Sequence, residues 1–125
     1  MLKEAEIEQQ LGHFTGTEKY WSYDLMGCGL KLTDGVHWLA ERAGCFWLLD
    51  IIASTTTIKK VRKEPFRSVK LTLSEAKDDT SWKVVIDDGN ENVLYEQEGD
   101  LTDFPLSRGI QLYWIDDVVL LTSEY

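Results

Sequence analysis

Residues 34–54, DGVHWLAERAGCFWLLDIIAS, constrain the fold more than any other stretch, because they set the densest apolar block of the chain behind a clear helix start. The Asp34 carboxylate can accept from the free N–H groups of a first turn, and Val36, Leu39, Ala40 and Ala43 then recur at helical spacing. Gly44 suits the left-handed conformation that ends many helices. Residues 45–53 are apolar except for Asp50, so a second helix is expected at an angle to the first. On it Cys45, Leu48, Leu49 and Ile52 share one face while Trp47 and Ile51 share another. Such an element belongs inside, where each large side chain contributes about 1.5–3 kcal/mol.

The flanking segments supply what would cover it. Residues 2–11 place Leu2, Ile7 and Leu11 against Glu4, Glu6 and Glu8, a short amphipathic helix with its acids toward the favourable end of the dipole. Trp21, Tyr23 and Leu25 alternate with polar residues, and alternation resumes over residues 30–33 after a glycine-bearing turn, which reads as a hairpin. Pro65 forbids the central helix from continuing, after which Val69, Leu71 and Leu73 alternate with Lys70, Thr72 and Ser74. A polar turn over residues 75–81 follows. Residues 82–86 and 93–97 flank Asp88-Gly89-Asn90 as a second hairpin, and residues 110–122 read as two strands around Asp116-Asp117. The expectation is one α+β domain over residues 1–125. It comprises a central buried helix packed on an antiparallel β-sheet of about four to six strands, with a short N-terminal helix. Trp47, Leu48, Ile51, Ile52, Trp21, Leu71, Leu73, Val84 and Trp114 should share its core.

Composition bounds function more than it defines it. A globular balance of 43% hydrophobic and 28% charged residues gives no sign of disorder. The opening MLKEAEIEQQL lacks a basic start before an apolar run, and no run approaches the roughly 18 residues of a membrane span. Cys28 and Cys45 fit no disulfide framework, so a cytoplasmic protein with reduced thiols and no membrane partner is expected. The net charge of −9 disfavours nonspecific attraction to phosphate. A basic run, Lys59, Lys60, Arg62, Lys63, Arg67 and Lys70, has only Phe66 interleaved, so it reads as a solvated face that pairs with the acidic hairpin, and nucleic acid is not an expected partner.

Few residues invite chemistry. His37 and Glu41 lie one helical turn apart, where a carboxylate could orient an imidazole, and the same spacing also suits an exposed surface pair. Trp38 beside them is a candidate aromatic contact. Asp50 needs a partner or a solvent-facing edge within its apolar helix, and a role in pairing with another element competes with a role as a functional acid. His13, Cys28, His37 and Cys45 are zinc-type ligands without chelating spacing, so no metal is expected. Gly27-Cys28-Gly29 lacks the rest of a dinucleotide fingerprint, no phosphate loop or nucleophile elbow occurs, and no cofactor is expected. The binding candidates are therefore His37, Glu41, Trp38 and Asp50, with no catalytic residue assigned.

GVHWLAERAGCFWLLDIIAS, the Asp88-Gly89-Asn90 turn, TDFPL at residues 102–106 and the terminal Ser123-Glu124-Tyr125 resemble an uncharacterised bacterial protein family, a domain of unknown function, over most of the chain. The resemblance implies no activity and transfers no functional residue. The residues favour a small noncatalytic binding or accessory protein, with a protein among its possible partners. Two other classes stay open: a small enzyme using His37, Glu41 and a Cys, and an acidic mimic of nucleic acid that occupies a basic partner.

Overall fold

The computed structural model describes residues 4–74, 80–100, 102 and 104–125. Residues 75–79 of the turn expected over residues 75–81, and the first residues of the N-terminal helix, lie outside them. In chain order the elements are α1 (Glu4–Leu11), β1 (Trp21–Tyr23), β2 (Leu30–Leu32), α2 (Asp34–Ala43), α3 (Phe46–Thr55), α4 (Lys59–Arg62), β3 (Phe66–Leu73), β4 (Trp82–Asp87), β5 (Val93–Gly99), β6 (Ile110–Ile115) and β7 (Val118–Leu121). Short 3-10 turns cover Leu25–Gly27 and Thr122–Glu124.

The fold is α+β, with a sheet larger than the four to six strands expected. Seven strands run in the order β1-β2-β7-β6-β3-β4-β5, antiparallel throughout except between β2 and β7. That parallel pair sets Lys31 opposite Val118 and Leu32 opposite Val119, so the N-terminal hairpin extends the sheet of the C-terminal strands. Local patterning reveals strands and turns, whereas a pairing across some ninety residues leaves no local signature.

Alternation sorts the sheet into two faces. Leu30, Leu32, Val69, Leu71, Val84, Ile86, Leu112, Trp114, Val119 and Leu121 point to one side and share a core with Val36, Leu39, Leu48, Leu49 and Ile52 from α2 and α3. Ile7, Val61, Phe104 and Leu106 close its margins. Of the nine residues expected in the core, Leu48, Ile51, Ile52, Leu71, Val84 and Trp114 are buried, while Trp21, Trp47 and Leu73 are half-buried against its edge. No described helix is long and apolar enough to cross a membrane.

The helix start differs from expectation in one respect. Thr33, extended at ψ 168°, is the N-cap of α2, and its Oγ1 accepts from Val36 N at 3.4 Å. Asp34 opens the helix instead, freeing its carboxylate to accept from Glu18 N at 3.0 Å and Trp21 Nε1 at 2.9 Å. Both residue types cap well, and the extended backbone falls one residue earlier. Gly44 ends α2 in the left-handed region as expected, at φ 63°.

Glu124 reaches the same helix end from the C-terminal turn. Its carboxylate accepts from Thr33 Oγ1 at 2.6 Å, Gly35 N at 3.2 Å and Leu121 N at 2.9 Å, tying residues ninety positions apart. Gly35 leaves room for this clamp, since a Cβ there would stand 2.5 Å from Leu121 Cδ1 and 2.6 Å from a Glu124 oxygen. Glycine to alanine inside a helix ordinarily stabilises by up to about 1 kcal/mol. Gly35→Ala is expected to do the reverse and destabilise by about 1–3 kcal/mol through overpacking, read as a lower urea midpoint at unchanged slope. A higher midpoint would show that the clamp yields freely.

Candidate functional site

The residues marked by sequence fall into separate structural roles. His37 and Glu41 pair on α2 with Nε2 3.1 Å from Oε1, and the imidazole stacks on Trp21 at 3.7 Å between centroids and 5° between planes. Lys19 Nζ lies 3.7 Å from the same indole centroid, so the cluster joins β1 to α2 through ring contacts. Trp38, half-buried, packs on Phe14 at 5.7 Å, with the Arg42 guanidinium 5.8 Å from its ring. Asp50 is exposed on α3 and accepts from the Tyr23 hydroxyl, linking a second helix to β1. Partial burial and this carboxylate push the Tyr23 hydroxyl up to about 12.

Neither thiol joins them. Cys45 is buried at the start of α3, where desolvation pushes its thiol up to about 12, far from the thiolate a nucleophile requires. Cys28 is half-buried and donates to the Tyr23 carbonyl at 3.3 Å. Among the described residues no group of three or more His, Cys, Asp or Glu is arranged to hold a metal ion. A thiol reagent at pH 8 should therefore modify Cys28 in the folded protein and reach Cys45 only in denaturant. Two thiols reacting at the same rate without denaturant would contradict the burial of Cys45.

A better-formed arrangement lies on the opposite face of the sheet. Alternation along β3 turns Phe66, Ser68 and Lys70 away from the core, and register sets Ser68 between Asp87 of β4 and Tyr113 of β6. Lys70 stands opposite Gln111 in the next row. Diagonal contacts knit the rows together: Gln111 Nε2 donates to Ser68 Oγ at 2.8 Å, and Lys70 Nζ lies 3.7 Å from Asp87 Oδ2.

These side chains line a concave cleft of about 280 Å³, together with Gly89 and Glu91 from the β4–β5 turn. Asp87 Oδ1 accepts from Gly89 N at 2.8 Å, which brings the turn against the Phe66 ring. Phe66 and Tyr113 stand 5.1 Å apart at 49°, and Tyr125 meets both edge-on at 5.9 and 5.2 Å. Ser68 is 3% and Asp87 6% exposed, while Lys70 and Gln111 in the neighbouring row are exposed. An aromatic wall, an ammonium, two carboxylates, an amide and a hydroxyl thus converge on one depression.

Sequence reasoning did not reach this cleft. The strand expected from Val69 leaves out Ser68, Lys70 falls within a basic run, and Asp87 lies between the strand ending at Ile86 and the Asp88-Gly89-Asn90 turn. Only strand register brings them side by side, and the half-legible signal was the Asp88-Gly89-Asn90 turn that fixes the β4–β5 register. That basic run also divides: Arg67 points into the core at 2% exposure, and Lys59, Lys60, Arg62 and Lys63 form no ion pair with the acidic hairpin among the described residues. Lys83 instead bridges Glu96 and Glu98 within the hairpin, at 3.8 Å each.

No curated protein and no solved structure matches the chain. The segments that resembled an uncharacterised family include pieces with plain structural duties, Gly35 and Glu124 in the α2 clamp, Gly89 against Phe66, and Phe104 and Leu106 in the core. Residues 5–125 match the family of unknown function DUF6876, nearly the full length of the chain, and the protein belongs to that family.

Proposed function

We propose that the protein is a small noncatalytic binding module and that the cleft on the outer face of its sheet is the ligand seat. The observation that supports this reading is the near-complete burial of Ser68 and Asp87 in a depression that exposed Lys70, Glu91 and Gln111 also line. Asp87, held by Gly89 N and beside Lys70, keeps a fixed charge pair in this depression, the kind of convergent polar group that orients a ligand. Two free cysteines fit work in a reducing compartment such as the cytoplasm. The competing enzyme reading would need His37 and Glu41 beside an ionised thiol, and both thiols make their hydrogen bonds elsewhere.

A screen of small polar fragments by protein-observed NMR tests the proposal. Fragments that bind are expected to shift the amides of Ser68, Lys70, Gln111 and Tyr113, and Tyr113→Ala is expected to weaken them by about tenfold or more. Fragments gathering instead around His37 and Glu41, with ester or thioester turnover lost in His37→Ala, would replace the binding reading with the enzymatic one.

A further inference from the structure

Resting on the cleft as the ligand seat, we propose that it binds a free zwitterionic α-amino acid. Lys70 takes the carboxylate, Asp87 and Glu91 take the ammonium, and the Phe66 and Tyr113 rings receive an apolar or aromatic side chain.

The charges of the cleft are what select a zwitterion. Lys70 Nζ and Asp87 Oδ2 are neighbours at 3.7 Å, beyond hydrogen-bond length, and both line the depression, the ammonium exposed and the carboxylate at its base. Adjacent groups of opposite sign match a ligand that carries both signs close together and lies antiparallel to them. The ligand's carboxylate then meets Lys70 while its ammonium meets Asp87, and no charge is left alone. A ligand that is only a cation must compete with Lys70 for Asp87. One that is only an anion meets Asp87, Glu91 and the field of a chain with net charge −9.

The remaining groups fit the same ligand. Ser68 Oγ accepts from Gln111 Nε2, which leaves its hydroxyl proton to donate to an anionic oxygen. Asp87 Oδ1 is engaged by Gly89 N, so Oδ2 is the oxygen that faces a newcomer. The tilted Phe66 and Tyr113 rings supply apolar area and π-faces beside the charged pair. A depression of about 280 Å³ lies at the small end of ligand pockets, suited to one amino acid rather than a longer peptide.

Isothermal titration of the full chain provides the test, using L-phenylalanine and L-leucine as zwitterions, phenylalanine methyl ester as the cation alone and N-acetylphenylalanine as the anion alone. At least one zwitterion is expected to bind, with both capped forms weaker by about tenfold or more. Lys70→Met should weaken the zwitterion by about tenfold and bind the ester at least as tightly, since the ester no longer competes with the Lys70 ammonium for Asp87, whereas Glu91→Gln should weaken both. Both positions are exposed, so these variants keep the fold where Asp87→Asn would also disturb the Gly89 turn. Capped forms binding as well as the zwitterion, or binding unaltered by Lys70→Met, would overturn the proposal. If no amino acid binds while fragments still shift the cleft amides, the ligand class falls and the cleft stands; if neither binds there, both readings fall.

Discussion

Gly109→Ala is expected to lower the unfolding free energy by about 3 kcal/mol or more, a large part of the roughly 5–15 kcal/mol that holds a domain folded. Gly109 precedes β6 at φ 71°, in the left-handed region that any side chain strains, and donates to the Leu106 carbonyl at 2.9 Å. A Cβ at this position would stand 1.8 Å from the Leu71 carbonyl oxygen and 2.8 Å from its carbon. Those are backbone atoms of β3, paired with Ile110 in the centre of the sheet, so relief requires moving a strand rather than a rotamer. Urea unfolding followed by tryptophan fluorescence measures the effect. Gly16→Ala, with nothing within 4 Å of its Cβ, is the control and should change stability by no more than about 0.5 kcal/mol. Equal midpoints for the two variants would mean that β6 does not approach Leu71 as described.

Arg67→Met is expected to cost a comparable amount, about 3 kcal/mol or more, although it leaves most of the side chain's apolar stem in place. Arg67 is 2% exposed on the core face of β3 and donates to the carbonyls of Trp114 (3.2 Å), Val61 (3.2 Å) and Asp116. Its guanidinium also lies 3.7 Å over the Trp114 ring. Burial pulls its pKa down to about 10, with the Asp116 and Glu64 carboxylates acting in the opposite direction. Removing the donors takes three hydrogen bonds from these carbonyls, and each bond to a charged donor contributes about 1.5–3 kcal/mol. Arg67→Lys should recover only part of the loss, because one ammonium cannot reproduce the planar fork that spans α4, β6 and the β6–β7 turn. Full recovery by lysine would show that charge alone, without directed hydrogen bonds, holds this junction.

Arg67 also marks where reading the chain stops short of the structure. Within its basic run it looks like its neighbours, and only the phase of β3 starting at Phe66 turns it inward while Lys70 faces out. Elements written by local pattern were legible: the left-handed Gly44, the alternation of Val69, Leu71 and Leu73, and the hairpin across Asp88-Gly89-Asn90. The cleft was not, since Ser68, Asp87 and Tyr113 become neighbours only through the pairing of three strands. His37 and Asp50 stood out in the sequence because a polar group in an apolar helix is conspicuous. Their partners, Trp21 and Tyr23, sit on a three-residue strand whose place in the sheet depends on β7.

The parallel pairing of β2 with β7 carries a consequence for how the protein is made. A chain leaving the ribosome presents β1, β2 and the helices first, yet β2 has no neighbour on its second side until residues 118–121 emerge. Closing so long a loop is entropically slow, and contacts of high sequence separation lengthen folding times. Until that closure Leu30, Leu32 and the inner faces of α2 and α3 lack the strands that bury them, the kind of exposure that invites aggregation. Synthesis through β7 therefore precedes completion of the core.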